Sequence, residues 1–530
     1  MDNISRRSLL TAGLGAGLVA AVPGAAVAAA STVPGAGLRT DPFTLGIASG
    51  EPWPDGFVLW TRLALDPLAE DGLGGMPSRS VPVAWEVAED AGMKRVVARG
   101  VEHALIDNAH SVHVELRGLK PGREYFYRFR SGQHTSQVGR TLTSPALHET
   151  PAALAMSFAS CAQYEHGYFT GYRRLAEDHP DLVLHLGDYV YEYRKESYVI
   201  GGGNPRDHAG PETVSLENYR QRHAQYKSDP DLQAAHAVAP WLVVWDDHEV
   251  DNNWADEVPE NADPAQLNDS AEHFRQRRAA AFKAYYENMP LRASSVPAGA
   301  DMKIYRTVQW GQLANFHMMD TRQYRDDQLA GDGWKKNVQE RLAEDRTITG
   351  ADQEKWLLDG FMNSTQRWDI LGQQVFFAER DRNKAAEIDD VSMDGWDGYA
   401  ASRRRITQGW ADAKVRNAVV LTGDVHRNWA NDVKVDYKDP ASPVVGSELV
   451  CTSVTSTGNG SGSTVDPVMA WNPHLRFYND QRGYVNTRIT KDSLQADFRV
   501  LDYVTTPGSP VSTKASFEIR DGVPGLRARA

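Results

Sequence analysis

Two patterns of hydrophobic and polar residues divide the chain. Between residues 43 and 143, apolar and polar positions alternate in short runs that are separated by turn residues. Alternation with a period of two predicts half-buried strands, and many short strands at this spacing predict an all-β sandwich. The clearest of these runs are GFVLWTRL, VPVAWEVA, SVHVELRGL and REYFYRFRSG.

The second region, residues 152–530, has a different pattern. LAMSFASCA is typical of a buried strand, YFTGYRRLAED of a helix and DLVLHLGD of another buried strand, an order that predicts a parallel βαβ unit. The segment TSPALHETPAA (Thr143–Ala153) predicts a linker between the two regions. Later strands are predicted in WLVVWDD, QLANFHMMD, WDILGQQVFF and NAVVLTGD, helices in YRQRHAQYKSDPDLQAAH, SAEHFRQRRAAAFKAYYENM and DQEKWLLDGFMNS, and antiparallel strands in RGYVNTRITKDSLQADFRVLDYV.

Residues 1–28 have the pattern of an export signal. Arg6 and Arg7 precede an apolar, Ala- and Gly-rich run that ends in the small-x-small motif AVA. The run SRRSLL is typical of a twin-arginine signal, and an ordinary secretory signal with a chance arginine pair is the alternative. Residues 29–42 are a predicted linker. Because no other apolar stretch reaches the ~20 residues that span a bilayer, we expect no transmembrane segment and a secreted, extracytoplasmic protein.

Composition adds limits on size, charge and disulfides. A chain of 530 residues predicts two domains, and its formal net charge of −13 disfavours sequence-independent binding to nucleic acid. The signal carries a net charge of +1, so its removal changes the formal net charge of the chain from −13 to −14. The two cysteines, Cys161 and Cys451, form one disulfide or remain free. The apolar run GSELVCTSVTS favours Cys451 as a small buried residue.

Several predicted strands end in residues that can bind metal ions. In open α/β sheets, functional sites form beyond the carboxyl ends of the strands. Burial of many unpaired charges at one edge would cost several kcal/mol for each charge, and bound cations would compensate for it. The sequence therefore predicts a metal site from the segments Ser160–Cys161, Gly187–Tyr191, Trp245–Asn253 and Gly423–His426.

As a set, these segments resemble a known family. The order GDxxY, an [N/D]HE-type turn and G[H/D]xH resembles the metallophosphoesterases. The variant with Ser-Cys first, DDHE in the middle and GDVH last resembles the PhoD family of alkaline phosphatases, which includes iron-dependent enzymes described as phospholipases D. Phe43–Arg62 and Met319–Arg325 resemble the same family, so the resemblance covers nearly the whole mature chain.

The resemblance implies a fold class and a boundary between two domains. The fold class is α/β, with a metallophosphoesterase-type two-sheet α/β/β/α sandwich over residues 152–530. An N-terminal all-β domain, fibronectin- or immunoglobulin-like, occupies residues 43–143. The run LRGLKPGREYFYRFR resembles a fibronectin-type strand after its corner, with Tyr125 as the corner tyrosine.

The resemblance also implies two kinds of metal ion. Ferric iron favours anionic donors, whereas carboxylate and amide oxygens suit calcium. Tyr191 as an ordinary strand-end tyrosine, Asp246 or Asp247 as a helix N-cap, and Cys161 in a disulfide remain alternatives. The implied Fe³⁺ ligands are Cys161, Asp188, Tyr191 and His426, and the implied Ca²⁺ ligands are Asp188 as a bridge, Asp247, Asp424 and, as a further candidate, Asn252.

The predicted function is that of a secreted phosphoesterase that hydrolyses phosphomonoesters and phosphodiesters at alkaline pH with a metal-activated water. His248 is the candidate for protonating the leaving oxygen, and a structural histidine is the alternative. The candidate substrate ligands are Arg62, Arg322 and Arg325, and further candidates are Gln373 and Gln374.

Three other functions are kept as alternatives. The nearest is a phospholipase D-like diesterase that acts on phospholipid headgroups. An iron oxidoreductase is disfavoured because three anionic ligands hold iron in its ferric state, and a binding protein with a decayed catalytic domain is disfavoured by the intact ligand set. The chain has neither a G-x-S-x-G elbow nor a G-x-x-x-x-G-K-[ST] loop, which disfavours serine hydrolases and nucleotide-driven phosphotransfer. The expected partners are small phosphate esters or phospholipid, and the twin-arginine translocase for export.

Overall fold

The computed structural model describes residues 37–385 and 387–529, and the backbone of a short strand β1 (Val19–Ala20). The predicted signal peptide otherwise lies outside the described residues, as does most of the predicted linker. The N-terminal region contains β2 (Ile47–Trp53), β3 (Gly56–Arg62), β4 (Val81–Ala88), β5 (Val96–Ala104), β6 (Ser111–Arg117), β7 (Glu124–Ser131), β8 (His134–Thr135) and β9 (Gly139–Leu142).

The C-terminal region begins with the predicted βαβ unit and ends in four consecutive strands. Its first part contains β10 (Leu154–Ala159), α1 (Thr170–Glu177), β11 (Leu182–Leu186), α2 (Leu216–Lys227), α3 (Pro230–Val238), β12 (Pro240–Val244) and α4 (Ala271–Asn288). Its second part contains β13 (Arg306–Trp310), β14 (Ala314–Met318), β15 (Trp334–Lys336), α5 (Gly350–Met362), β16 (Trp368–Gly372), β17 (Asp390–Ser392), α6 (Ala400–Ala413), β18 (Ala418–Thr422), β19 (Asn428–Lys434), β20 (Val444–Val450) and β21 (Leu475–Asn479). The last strands are β22 (Gly483–Ile489), β23 (Ser493–Leu501), β24 (Val511–Arg520) and β25 (Val523–Arg529).

Two large sheets form the centre of the molecule. The first has the strand order β1-β6-β3-β2-β12-β11-β10-β22-β23-β24-β25, and the second has the order β13-β14-β16-β18-β20-β19-β21. Strands β10, β11 and β12 are parallel to one another, as are β14, β16, β18 and β20. One buried cluster contains side chains of both sheets, including Leu184, Val243, Phe316 and Leu421. The sheets therefore pack face to face.

Helices cover the outer faces of the two sheets. Tyr172 of α1 and Phe282 of α4 join the central core from the side of the first sheet. Helices α5 and α6 form a separate buried cluster with strands β16 and β18 of the second sheet, which includes Leu357 and Trp410. This arrangement is the predicted α/β/β/α sandwich. No helix in the described part of the chain is long and apolar enough to cross a membrane.

Helices α2 and α3 come from a stretch that the sequence pattern predicts as one helix. The break falls at Ser228–Pro230, because proline cannot continue an α-helix but suits its first position. The side chain of Asp229 then caps α3 by accepting a hydrogen bond from the backbone N–H of Asp231, at 2.9 Å.

The N-terminal region is a β-sandwich whose two sheets have different neighbours. The sheet β5-β4-β7-β8, to which β9 is also paired, packs on β2, β3 and β6 through a core that includes Phe57, Trp85 and Tyr127. The hydroxyl of Tyr125 accepts a hydrogen bond from the backbone N–H of Lys120 at 3.0 Å, which is the geometry of a tyrosine corner.

The N-terminal sandwich shares its second sheet with the C-terminal region. Strand β2 pairs in parallel with β12, with Gly50 beside Trp241. A Cβ atom on Gly50 would lie 2.6 Å from the Pro290 carbonyl oxygen and 2.8 Å from that of Trp241, so this close approach requires glycine. We call the contact of β2, β3 and β6 with β12, α2 and α4 the seam.

Candidate metal centre

The carboxyl ends of strands from both sheets meet at one edge of the molecule. The turn after β10 is joined to the turn after β11 by a hydrogen bond from the Cys161 N–H to the Gly187 carbonyl, at 3.1 Å. Ser160 also forms an isolated parallel bridge with Ser453, which follows β20 of the second sheet. The segments that were predicted to supply metal ligands therefore share one edge, as expected for parallel strands.

The four predicted iron ligands lie together at this edge. Ligand atoms of Cys161, Asp188 and His426 all lie within 4.8 Å of one another. The hydroxyl of Tyr191 donates to Asp188 Oδ2 at 2.9 Å and lies 3.3 Å from His426 Nε2. It also accepts a hydrogen bond from Ser456 Oγ at 2.7 Å. A thiol, a carboxyl group, a phenol and an imidazole thus converge on one position.

The backbone is held in an unusual conformation at four of the predicted metal ligands. Cys161, Asp188, Asp424 and His426 have φ values between 52° and 62°, in the left-handed region that non-glycine residues rarely adopt. Gly187, just before Asp188, has φ 100°, and a Cβ atom there would lie 2.5 Å from the Asp246 side chain. Strain of this kind costs about 1–3 kcal/mol per residue and clusters at functional sites.

A second group of donors shares Asp188 with the first. Ligand atoms of Asp188, Asp247 and His248 lie within 4.8 Å of one another. The carboxylate of Asp247 accepts hydrogen bonds from the backbone N–H groups of His248, at 3.0 Å, and Asn253, at 2.8 Å. In the described part of the chain, the buried Oδ1 of Asp188 has no hydrogen-bond partner. An unpartnered buried carboxylate oxygen between two donor groups fits a ligand that bridges two cations.

The charges of the first group fit bound cations. Burial is the largest cause that raises the pKa of the Cys161 thiol, the Asp188 carboxyl group and the Tyr191 phenol well above their usual values. Burial likewise lowers the pKa of His426 well below its usual value, which keeps its ring neutral. Each anionic donor is therefore expensive to ionise alone, and a cation would reverse that cost.

Asp424 also fits this centre, whereas the side chain of Asn252 is directed elsewhere. Burial and the nearby Asp246 and Asp394 raise the pKa of the partly exposed Asp424, and its side chain makes no hydrogen bond within the described ranges. Asn252 instead donates from Nδ2 to Glu260 at 2.7 Å, while its backbone N–H donates to Glu192. The structure does not bring the Asn252 side chain into either donor group.

His248 is oriented by a carboxylate that the sequence analysis missed. Its Nδ1 lies 2.8 Å from Glu192 Oε2, and its ring lies against that of Tyr191 with a centroid separation of 4.0 Å. Burial opposes protonation, but Glu192, Asp247 and Asp188 together raise the pKa of His248 well above its usual value. These acidic neighbours thus favour the protonated ring, which is the form that a general acid requires.

The three predicted substrate arginines are engaged by other protein groups. Arg62 is fully buried in the seam and donates to the Ala109, Arg220 and Gly72 carbonyls and to Asn288 Oδ1. It lies outside the metal centre, so its prediction as a phosphate ligand is wrong. Arg322 donates to Asp246 at 2.6 Å and to Asp394 at 2.8 Å, and Arg325 also pairs with Asp394, at 3.2 Å. These two arginines stabilise the acidic groups beside Asp247 and are not free to clamp a phosphate.

Gln373 and Gln374 are likewise engaged. Gln373 donates to the Val375 carbonyl and Thr422 and accepts from Trp396 Nε1, and Gln374 donates to the Met319 carbonyl and accepts from Thr321. Both side chains are buried, so neither offers a free group to a substrate.

The turns of the site are held by a buried carboxylate that was also missed. Glu249 accepts hydrogen bonds from the backbone N–H groups of Asp188 at 3.1 Å, Tyr189 at 2.5 Å and Asp246 at 2.8 Å. Glu249 stands in the DDHE motif and Glu192 follows GDYVY, so both were visible in the sequence. Ser456 begins the Gly- and Ser-rich run STGNGSGST, which predicts a loop but contains no ligand motif. In the structure, Cys161 and Cys451 are both free and buried.

Comparison with known proteins gives consistent matches over nearly the whole chain. Residues 154–498 match the family model described as PhoD-like phosphatase, and residues 27–145 match the model of its N-terminal domain. Alkaline phosphatase D of Bacillus subtilis (strain 168) is 49% identical over 488 residues, which cover 92% of this chain and 82% of that protein. A solved structure titled "Structure of PhoD" has a TM-score of 0.89 at 48% identity and covers 93% of each chain.

Proposed function

The chain belongs to the PhoD-like phosphatase family, as predicted, and we propose that it is an exported phosphoesterase that uses Fe³⁺ and Ca²⁺ to hydrolyse phosphomonoesters and phosphodiesters at alkaline pH. The family membership makes it a phosphatase and confirms the predicted fold class. The metals, the export route and the substrate range are the proposed part. The observation that carries the proposal is the convergence of Cys161, Asp188, Tyr191 and His426 on one position, where the buried Asp188 Oδ1 has no hydrogen-bond partner among the described residues.

The donor types support iron in the first group and calcium in the second. Thiolate, phenolate and carboxylate are three anions, and a ferric ion has the charge to draw their protons off despite burial. The second group offers the carboxylates of Asp188 and Asp247, and Asp424 is the further predicted oxygen ligand of a hard divalent ion. Burial alone would raise the pKa of Asp247, but Arg322 and His248 lower it below its usual value, so this carboxyl group is already ionised.

When bound, the cations would lower the pKa of a water molecule and neutralise charge that gathers on the phosphoryl oxygens. The chain's own residues supply the proton for the leaving oxygen. His248 Nδ1 is held by Glu192 Oε2, so Nε2 is the ring atom that carries the transferable proton. Glu192 is fixed in turn, because its Oε1 accepts from the backbone N–H of Asn252 at 3.0 Å.

Membership of this family favours hydrolysis over the iron oxidoreductase and over a decayed binding protein. Phospholipid headgroups remain an alternative substrate class within the same chemistry. Initial rates on 4-nitrophenyl phosphate, bis(4-nitrophenyl) phosphate and phosphatidylcholine separate these substrates. Hydrolysis of phosphatidylcholine alone would contradict the proposed substrate range.

Export by the twin-arginine route rests on the motif around Arg6 and Arg7. Replacing both residues with lysine is expected to keep the protein inside the cell, because that translocase requires the arginine pair. If the double variant were secreted in the same amount as the protein without substitutions, export by the twin-arginine route would be contradicted. Cell fractionation followed by immunoblotting measures the outcome.

Metal analysis of matched cysteine variants tests the metal centre. The unchanged protein is expected to contain iron, to show visible absorption from thiolate- or phenolate-to-iron charge transfer, and to lose activity when calcium is chelated. Cys161→Ala is expected to lose both the iron and the absorption. Cys451→Ala is the matched control, because its Sγ faces the Phe158 carbonyl at 3.5 Å within the core. A colourless, iron-free and fully active unchanged protein would remove the basis of the proposal.

A further inference from the structure

Arg380 lies on a segment that is attached to the metal centre. The segment follows β16, and its Gln374 carbonyl accepts a hydrogen bond from the backbone N–H of Gly423 at 2.8 Å, directly before the ligand Asp424. At Arg380 itself, the backbone N–H donates to Asp397 Oδ2 at 2.9 Å. The main chain of Arg380 is therefore anchored, and its side chain extends from a fixed base.

Three aromatic rings surround the guanidinium of Arg380. Its Cζ lies 4.8 Å from the ring centroid of Trp334, 4.7 Å from that of Phe376 and 5.7 Å from that of Trp429. Phe376 belongs to the same segment, and Trp429 stands three residues after the ligand His426. Attraction to aromatic faces holds a guanidinium in place without using its N–H groups as hydrogen-bond donors.

The N–H groups of this guanidinium have no protein acceptor. Within residues 37–385 and 387–529, no carboxylate oxygen lies within 4.0 Å of it, and its side chain makes no hydrogen bond. Arg322 and Arg325 differ in this respect, since both are paired with Asp394. Arg380 is also partly exposed, whereas those two arginines are fully buried.

Burial and nearby acidic groups act on the pKa of Arg380 in opposite directions. Burial lowers the pKa of Arg380, and the negative charges of Asp397, Asp466 and Asp424 act in the opposite direction. An arginine starts from so high a pKa that its guanidinium stays charged. A charged group with free donors, packed against aromatic rings on a segment attached to the metal centre, is suited to bind an anion.

We propose that Arg380 is a substrate-binding residue that receives an oxyanion of the phosphate ester through the free edge of its guanidinium. The inference rests on the proposed phosphoesterase function and assigns a role that Arg62, Arg322 and Arg325 cannot fill. The oxyanion is either a non-bridging oxygen of the reacting phosphoryl group or a second anionic group of the leaving part. Both present the same chemistry to a guanidinium.

Kinetics of two Arg380 variants and one matched control test this role. Arg380→Met keeps the length of the side chain but removes its charge, and Arg380→Lys keeps the charge but removes the planar donors. Arg382→Met is the control, because the Arg382 guanidinium also stacks on Trp334, at 4.7 Å, but is exposed. The readouts are KM and kcat for 4-nitrophenyl phosphate and for a nucleoside diphosphate, the inhibition constant of inorganic phosphate, metal content and melting temperature.

Arg380→Met is expected to lower kcat/KM by about 10- to 100-fold, the usual worth of hydrogen bonds to a charged group. The Lys variant is expected to fall between it and the unchanged protein, with metal content and melting temperature unchanged in both. A weaker inhibition by phosphate indicates contact with the reacting phosphoryl group. A loss of kcat/KM for the nucleoside diphosphate alone, with an unchanged inhibition constant of phosphate, indicates contact with the leaving group.

Unchanged kinetics and unchanged phosphate inhibition in a folded Arg380→Met protein would overturn the inference and leave the proposed function intact. A lack of phosphoesterase activity in the unchanged protein would instead be a failure of the proposed function. If Arg380→Met does not fold, the Lys variant decides, because it retains the stacked cation. A Lys variant that has full phosphate affinity and full activity on both substrates would then refute the role of the planar donors.

Discussion

Arg62, His113 and Glu51 of the seam differ from the carboxylates of the metal centre in how completely their hydrogen bonds are satisfied. In the seam, Arg62 has four acceptors, and His113 Nε2 lies 2.9 Å from the Met289 carbonyl and 3.1 Å from that of Tyr286. Glu51 there is paired with Arg306 at 3.0 Å. In the metal centre, Asp188 Oδ1 and Asp246 Oδ2 are buried with no partner among the described residues.

This difference separates a structural role from a functional one. A buried polar group whose hydrogen bonds are complete stabilises the fold and offers nothing to a ligand. A buried carboxylate oxygen without a partner, on a turn with left-handed backbone, lowers the free energy of unfolding. A bound ligand would offset that loss. The same reasoning separates Arg62, whose side-chain donors are engaged by the protein, from the partly exposed and unpaired Arg380 that we propose as a substrate-binding residue.

The strongest test of this contrast is Asp188→Asn. Because Asp188 stands in both donor groups, the change is expected to remove charge from both cation sites and to lower kcat/KM by at least about 10³-fold. Metal content should fall at the same time. The melting temperature of the metal-free protein should stay equal or rise, since an expensive buried carboxyl group has gone. Metal analysis, kinetics and calorimetry measure the three effects.

Asp492→Asn is the control for that experiment, because the Asp492 side chain is 74% exposed and pairs only with its neighbour Lys491 in the described structure. If the Asp188→Asn protein kept its metals and its activity, the conclusion that Asp188 has a functional role would be wrong. That conclusion would also be wrong if the metal-free variant unfolded at a markedly lower temperature, as a structural carboxylate would require.

A smaller effect is expected from Glu192→Gln. Glu192 touches neither substrate nor, in the proposed arrangement, metal, so it is a positioning residue that holds His248. Loss of such a partner typically costs about 10- to 100-fold in activity. The fall should be in kcat, and the arm of the pH–rate profile that reports the general acid should move to lower pH, because a carboxylate no longer raises the pKa of His248.

Glu196→Gln, at an exposed position of the following loop, is the control for Glu192→Gln. A purely structural role for Glu192 would lower activity with no displacement of the pH–rate profile. That result would give Glu192 a structural role, like that of Arg62 in the seam, rather than a role in positioning His248.

The convergence of the predicted metal ligands could be anticipated from the sequence because these residues stand in short local motifs. Each motif follows a buried strand, and parallel strands bring their carboxyl ends to one edge, so chemistry and position are both visible locally. The βαβ unit and the alternating N-terminal strands were predicted for the same reason. The divided helix at Asp229 was missed, although Pro230 marks it, because the apolar pattern continues across the break.

The remaining features depend on contacts between distant residues. Arg62 and its acceptor Asn288 are 226 positions apart, and no local pattern shows that this arginine is already engaged. The parallel pairing of β2 with β12 also joins strands that lie far apart in the sequence, so no local pattern predicts it. Helix α6 escaped prediction because the run SRRRITQGW has few apolar residues, and its burial comes largely from Ile406 and Trp410.

Within the seam, Arg62→Met is expected to lower stability and leave the chemistry intact. The change leaves four buried acceptors without a donor, which is expected to cost about 3–5 kcal/mol in the free energy of unfolding. Urea unfolding measures this loss, and kcat/KM below the transition should match that of the unchanged protein. Arg99→Met, in the partly exposed strand β5, is the control. A large loss of kcat/KM with unchanged stability would instead restore Arg62 as a substrate ligand.

The smallest expected effect is the pH dependence that His113 gives to the seam. Burial lowers the pKa of His113 to about 4, and the Met289 and Tyr286 carbonyls only partly offset it. In the unfolded chain, histidine has a pKa of about 6.5. The unfolded state therefore gains a proton first as pH falls. The stability that neutral His113 contributes is complete above pH ~6.5 and is lost progressively down to pH ~4, by about 2–3 kcal/mol.

Urea unfolding of the metal-free protein at pH 7, 5.5 and 4 measures this loss without interference from the metal centre. His113→Gln is expected to reduce the pH dependence between pH 7 and 4 by about 2–3 kcal/mol. His103→Gln, at an exposed position, is expected to leave it unchanged. An equal acid response in both variants would mean that His113 takes up its proton inside the folded seam. The hydrogen bonds of His113 to the Met289 and Tyr286 carbonyls would then fail to distinguish it from the carboxylates of the metal centre.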